Sequence, residues 1–235
     1  MDREYMYIPT GIPTRAAGPL TRSTGLVNTS TSALLVKFIF ISECYEGNWQ
    51  NGSKEGAGQY TYADGTRYVG NFFNGKKHGK GVVSFNNGDK FDGEFMNDET
   101  HGYGIMMYCN MDRYEGSWQN GEKNGVGAYT FTRENGEKDI YDGEWSSGMM
   151  DGRGTMHYFN GDRFIGNWMT GKRHGQGMYI NKQGDTYDGE WRSDMKHGKG
   201  ILKMKNGEVY DGEWANGMKN GNGVFTFTNS DAYNV

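Results

Sequence analysis

YEGNWQNGSKEGAGQYTYADGTR, residues 45–67, is the stretch whose reading decides the fold. Copies of it open at Tyr68, Phe91, Tyr114, Tyr141, Phe164, Tyr187 and Tyr210. Every step is 23 residues except the one from Tyr114 to Tyr141, which is 27, and the next step lands on Tyr233. About four fifths of the chain is thus one short unit repeated eight times, the signature of a repeat architecture.

Within the first copy, Tyr45, Gly47 and Trp49 alternate and share one face of a strand, and Gly58, Tyr60 and Tyr62 do the same on a second strand. The polar, glycine-rich segment from Asn51-Gly52 to Gly56 reads as the hairpin connection. Asp64-Gly65 supplies the next reversal. The unit is a β-hairpin and the array an all-β, single-layer antiparallel meander. Sixteen strands at ~4.8 Å each make an elongated element about 75 Å long.

The composition fits. The chain has 39 glycines, three prolines and 14% aromatic residues. Every glycine after Gly25 falls on one of five positions of the repeat, and all six tryptophans occupy the fifth. Glycine inside a strand is ordinarily destabilising. Here each in-strand glycine shares a face with large aromatics, so the missing side chain leaves room for a ring to lie over bare backbone. The departures are Phe72 and Phe95 in place of tryptophan, Asp98 and Asp194 in place of the turn glycine, and Met111 in place of the late glycine. Four extra residues within Arg133–Ile140 form either a tolerated surface loop or a partner contact.

Residues 1–32 read as an extended polar arm. Residues 33–44 contain Ala33–Ile41, an apolar run expected to be a strand that caps the open edge of the first repeat. Residues 45–235 are the repeats. The apolar run is too short to span a bilayer, and MDREYMYIPTG lacks the basic-then-apolar order of an export signal. Together with two cysteines, read as free thiols, this predicts a cytoplasmic protein. A net charge of −4 argues against nucleic acid as partner and against purely electrostatic membrane binding.

Catalytic signals are absent from the pattern. No glycine triplet leads into a phosphate-binding Gly-Lys-Ser/Thr. His78, His101, His174 and His197 recur at the eleventh position, as turn residues or, less simply, as metal ligands lacking a completing pair. The expectation is a non-enzyme with no cofactor and no metal. Acidic residues such as Asp142, Glu144, Asp188, Glu190, Asp211 and Glu213 should line the opposite face, as a solvated surface or a docking face for basic partners. Lys76-Lys77 and Lys172-Arg173 stand at turns, where they could touch lipid headgroups.

With Tyr45-x-Gly-x-Trp49 and Gly56-x-Gly58-x-Tyr60 matched again by Tyr187–Trp191 and His197-Gly-Lys-Gly200, the unit resembles the MORN (membrane occupation and recognition nexus) repeat. The resemblance implies an aromatic groove that holds a helical or extended segment of a partner protein. Its walls would be Trp49, Phe72, Phe95, Trp118, Trp145, Trp168, Trp191 and Trp214 with Tyr45, Tyr68, Tyr114, Tyr141, Tyr187 and Tyr210. It further implies a scaffold of the cytoskeleton, with a cilium or axoneme (a radial spoke head, for example) as the expected setting. The alternative is a peripheral adaptor that binds acidic phospholipids. Phe225 and Phe227, beside a ninth opener at Tyr233, leave an edge expected to drive homodimer or larger assembly, or to be covered by a partner.

Overall fold

A computed structural model describes residues 5–7, 43–229 and 231–234. Strand β1 (Tyr5–Tyr7) precedes the repeats. The first four repeats contribute β2 (Cys44–Gln50) and β3 (Ser53–Thr61), β4 (Arg67–Phe73) and β5 (Lys76–Ser84), β6 (Lys90–Met96) and β7 (Glu99–Met107), β8 (Arg113–Gln119) and β9 (Glu122–Thr132). The last four contribute β10 (Lys138–Ser146) and β11 (Met149–His157), β12 (Arg163–Met169) and β13 (Lys172–Ile180), β14 (Thr186–Arg192) and β15 (Met195–Lys203), β16 (Val209–Ala215) and β17 (Met218–Thr226). β18 (Ala232–Asn234) follows. Each strand pairs antiparallel with its neighbours in sequence, so the sheet is one open meander. The expected capping strand at 33–41 lies outside the described residues, where β1 is the strand on that edge.

The hairpin connection is shorter than the sequence reading has it. Asn51 (φ 49°) and Gly52 (φ 78°) alone make the reversal, a type I′ turn, and residues 53–56 already belong to β3. The polar stretch instead holds a bulge. Gly47 pairs with Gly58 but Trp49 with Lys54, so β3 carries two extra residues there, and Gly56 absorbs the kink at φ 67°. His78, His101, His174 and His197 consequently stand in strands β5, β7, β13 and β15 rather than in turns.

The core is a ladder of rings on one face. The opener of each repeat lies flat across two glycines paired between strands. A Cβ at Gly47 or Gly58 would collide with the Tyr45 ring, and one at Gly166 or Gly177 with Phe164. The fifth-position ring then meets two openers, its own and that of the preceding repeat. Trp191, for example, is 5.3 Å from Tyr187 and 5.2 Å from Phe164, at interplanar angles of 87° and 81°. This edge-to-face contact runs without a gap from Trp49 to Tyr210. Such pairs set the positive ring edge against a negative face and each adds ~0.5–1.5 kcal/mol beyond burial. Trp118, Trp145, Trp168, Trp191 and Trp214 also donate Nε1–H to a glycine carbonyl of the preceding repeat, at 2.9–3.3 Å. Phe72 and Phe95 cannot make that bond.

Repeats are further joined along the turn edge. An aspartate two before an opener takes the backbone N–H of a turn residue in the next repeat: Asp89 from Cys109, Asp162 from Lys182 and Asp185 from Lys205, each at 2.8 Å. Thr66 fills this place in repeat one with a longer bond of 3.3 Å from Asn86. Asp98 and Asp194, which interrupt the turn glycines, also gain a bond, accepting the N–H of Lys77 and Arg173. The four extra residues of repeat four lengthen β9 and β10, pairing Lys138 with Thr132 and Asp139 with Phe131. They leave the ladder continuous, with Tyr114 and Trp145 5.2 Å apart.

Two outcomes follow for stability. Gly171 sits in open space at φ 79°, so Gly171→Ala costs only the left-handed backbone penalty, about 1–2 kcal/mol. Gly177→Ala drives a methyl into the buried Phe164 ring and exceeds that cost, at roughly 3 kcal/mol or more, which urea unfolding of the two variants compares. The second concerns acid. Hydrogen bonds from the backbone of Cys109 and Lys205, then from Asn87 and Asn181, hold the carboxyls of Asp89 and Asp185 below their ordinary value of 3.8. Their stabilisation is therefore present above pH 3.8 and is lost as pH falls through the lower folded value. Melting temperature should drop as pH is lowered from about 4 toward 2, and less so in the Asp89→Asn/Asp185→Asn double variant.

Candidate functional site

The residues expected to wall a groove are placed in the ladder itself. Tyr45, Tyr68, Tyr114, Tyr141, Tyr187 and Tyr210 are 2% exposed or less, and Phe72, Phe95, Trp118, Trp145, Trp168, Trp191 and Trp214 are 4–6% exposed. Trp49 is half-buried. The structure brings all of them together in one line, with each tyrosine hydroxyl that opens a repeat turned inward: Tyr45, Tyr68, Tyr114, Tyr141, Tyr187 and Tyr210 donate to the backbone carbonyl three residues on, at 2.8–3.1 Å. The bulge frees that carbonyl from the strand ladder, and the hydroxyl takes it up.

A second row lies beside the ladder on the same face. Tyr60, Met106, Tyr129, Tyr179, Leu202 and Phe225 pair directly across from the openers of their repeats and are half-buried. Tyr62, Tyr108 and Phe131 stand two residues beyond Tyr60, Met106 and Tyr129, and Tyr158 two beyond the buried Met156, and all four pack against the same cluster. Some hydroxyls are engaged: Tyr60 donates to Glu43 at 2.8 Å, Tyr129 to Asp112 at 3.0 Å, and Tyr179 to Asp162. Burial, reinforced by those carboxylates, pushes the Tyr60 and Tyr179 phenols up to about 12, so both remain neutral donors.

The feature that sequence reasoning missed is a row of cations folded onto these rings. Lys54, Lys77, Lys123, Arg173, Lys196 and Lys219 all hold the tenth position of their repeats, opposite the fifth-position ring across the hairpin. Lys54 Nζ lies 4.2 Å from the centroid of Tyr60 and 5.2 Å from that of Phe72. Lys123 Nζ is 4.7 Å from both Tyr129 and Trp145, and Lys196 Nζ is 4.8 Å from both Tyr187 and Trp214. A cation over a ring face gains ~0.5–2 kcal/mol. Burial nevertheless pushes the Lys54, Lys77, Lys123 and Lys196 ammonium groups below the ordinary lysine value. Among the described residues none of the five lysines forms an ion pair, and Arg173 alone has a carboxylate partner, Asp194 at 3.1 Å.

The signal was present in the sequence as a repeated position, but Lys77 and Arg173 read there as turn residues projecting toward lipid. The two-residue turn places them inside β5 and β13, on the ring side, while Lys76 and Lys172 one residue earlier point away and are exposed. The acidic fourth position is also partly used by the fold: Glu144, Glu190 and Glu213 accept the backbone N–H of Arg153, Lys199 and Asn222 across the bulge. At the far edge, β18 pairs with β17, and Tyr210, Phe225, Phe227 and Tyr233 line a cavity of about 710 Å³. No described helix is long and apolar enough to cross a membrane.

A solved chain from Drosophila melanogaster, the SAS-4 (dCPAP) TCP domain in complex with a proline-rich motif of Ana2 (dSTIL), is similar over 66% of this chain and 83% of its own. The identity is 15% and the TM-score 0.41, a likeness too distant to transfer anything to this protein. No curated protein sequence matches the chain. The MORN repeat family model matches eight times, at residues 45–67, 68–90, 91–113, 114–135, 141–163, 164–186, 187–209 and 210–232. Those matches open on the eight ring-on-glycine residues of the ladder and cover most of the sequence, and the chain belongs to the MORN repeat family, a class of protein-interaction or membrane-associated repeat modules.

Proposed function

We propose that the chain is a non-enzymatic scaffold whose ring-bearing face receives a segment of a partner protein. The observation that carries this reading is the half-buried second row of aromatics flanked by ammonium groups without ion-pair partners among the described residues. Apolar faces and unpaired donors side by side are what a bound polypeptide can cover and satisfy at once. The ladder supports the site from below rather than touching the partner, because its rings are buried. Only the second row and the cations have surface left to give. The setting we propose, a cytoskeletal assembly and within it the ciliary axoneme, rests on the family resemblance alone.

Photo-crosslinking separates the two faces of the sheet. A benzophenone amino acid placed at Tyr62 or Tyr158, half-buried on the ring face, should crosslink a protein in extracts of the native source. The same probe at Asp142 or Asp188, exposed on the opposite face, should give little or none. Crosslinks confined to Asp142 and Asp188 would move the binding surface to the acidic side and sink the proposal.

A further inference from the structure

We infer that the partner segment is an extended acidic one, crossing the strands with a carboxylate at about every third residue. The inference rests on the reading of the ring face as a protein-binding surface and adds the chemistry of what binds there.

The cations set the geometry. They recur once per repeat, and a repeat advances the sheet by two strands, so neighbouring cations are spaced by roughly 9–10 Å. A chain extended as polyproline II rises ~3.1 Å per residue with three residues per turn, which returns every third side chain to the same face at about the same interval, whereas a β-extended chain would turn it to the opposite face. A helix crossing the same face would need about six residues per interval at 1.5 Å each, which is not a whole number of turns. The extended form keeps register with the row and the helix drifts out of it.

Among the described residues the five lysines of the row also lack ion-pair partners, while Arg173 has Asp194. The acidic groups that act on them are already engaged: Asp98 accepts the N–H of Lys77, Asp112 that of Thr132, Asp185 that of Lys205, and Glu43 the hydroxyl of Tyr60. Burial first, and then the charges of Arg173 and Lys219 on either side, push the Lys196 ammonium below the ordinary lysine value. An incoming carboxylate relieves that repulsion. A flat anionic membrane fits less well, because the ammonium groups lie down on rings, within 4.2–5.9 Å of the centroids, instead of projecting outward. A single narrow chain can reach the half-buried Lys54, Lys77, Lys123, Arg173 and Lys196 as well as the exposed Lys219, and a flat bilayer surface cannot.

The row is not uniform. Thr100 in repeat three and Met150 in repeat five take the cation's place, and Thr100 Oγ1 is buried without a hydrogen-bond partner. Arg173, Lys196 and Lys219 in repeats six to eight therefore form the longest uninterrupted block and are assigned the strongest contact.

Fluorescence anisotropy with the full chain tests this, using labelled peptides of repeating Glu-Ser-Val, of repeating Gln-Ser-Val, and of the first composition with its glutamates contiguous. At low salt the spaced Glu peptide should bind about tenfold more tightly than either control, an advantage that shrinks as salt rises. Lys196→Gln/Lys219→Gln should abolish the advantage, and Thr100→Lys/Met150→Lys, which completes the row, should increase it. Because the second variant adds charge, the test survives if the first folds poorly. Equal binding of Glu and Gln peptides overturns the acidic inference and leaves a protein-binding ring face standing. No binding of any peptide, with crosslinking from Tyr62 and Tyr158 also lost, overturns both. Phosphatidylserine vesicles that displace the Glu peptide and depend on the same lysines would reassign the row to lipid and overturn the inference.

Discussion

A phenol or phenyl ring lying flat on a pair of glycines is the contact from which the rest of this protein follows. The two glycines face each other across a hairpin, as Gly166 and Gly177 do beneath Phe164, and neither can acquire a Cβ without striking the ring. With the opener pressed against bare backbone, its outer surface is left for two further rings. One comes from the same repeat and one from the next, and this sharing converts eight hairpins into a single object. No second sheet or helix layer covers the described repeats. Stability comes instead from ring-to-ring contact running at right angles to the strands, locked by indole N–H bonds to glycine carbonyls and by aspartates that take turn N–H groups from the following repeat. An array of this kind is stabilised by nearest-neighbour terms, so its weak points are local. Repeat three, with Phe95 lacking the indole bond and Met111 at φ 69° where glycine is favoured, is one of them.

That economy bears on function. Aromatic side chains in a repeat array invite the reading that they are the binding surface, but here the most conspicuous ones are consumed in holding the sheet together. What remains for a partner is the second row and the cations resting on it. These cations have a double character. Over the rings they contribute to the fold, and the partial loss of water at Lys54, Lys77, Lys123 and Lys196, without an ion-pair partner among the described residues, leaves these four more favourable to an incoming anion than an exposed lysine would be. On the proposed reading, fold and recognition draw on the same side chains, and the site follows the array instead of occupying one pocket.

The irregularities sort into those the fold absorbs and those that alter its surface. Asp98 and Asp194 keep the left-handed turn conformation, at φ 77° and 70°, and add a bond to the preceding repeat, so they replace glycine without harm. The extra residues of repeat four are taken up as longer strands beyond the ladder, where Arg133 pairs with Asp139 at 2.7 Å and stacks 4.0 Å from the Phe159 ring. Thr100 and Met150, by contrast, leave the ladder intact while interrupting the cation row, a change felt only by whatever lies on that face.

Period, strand alternation and glycine placement were enough to read the eight hairpins, their openers and the all-β meander from the sequence, because a 23-residue spacing of Tyr-x-Gly-x-Trp admits few other physical explanations. The turn length was not legible. Asn51 to Gly56 is polar throughout, and only the paired geometry shows that two residues turn while Gly56 makes a bulge. That difference in turn length decided the candidate site, since it moved Lys77 and Arg173 from a projecting turn into strands facing the rings. Which lysine lies on aromatic surface and which meets water is a matter of facing, and facing alternates with every residue. The repeat determined what the sheet is made of, and the register decided which of its charges a partner can reach.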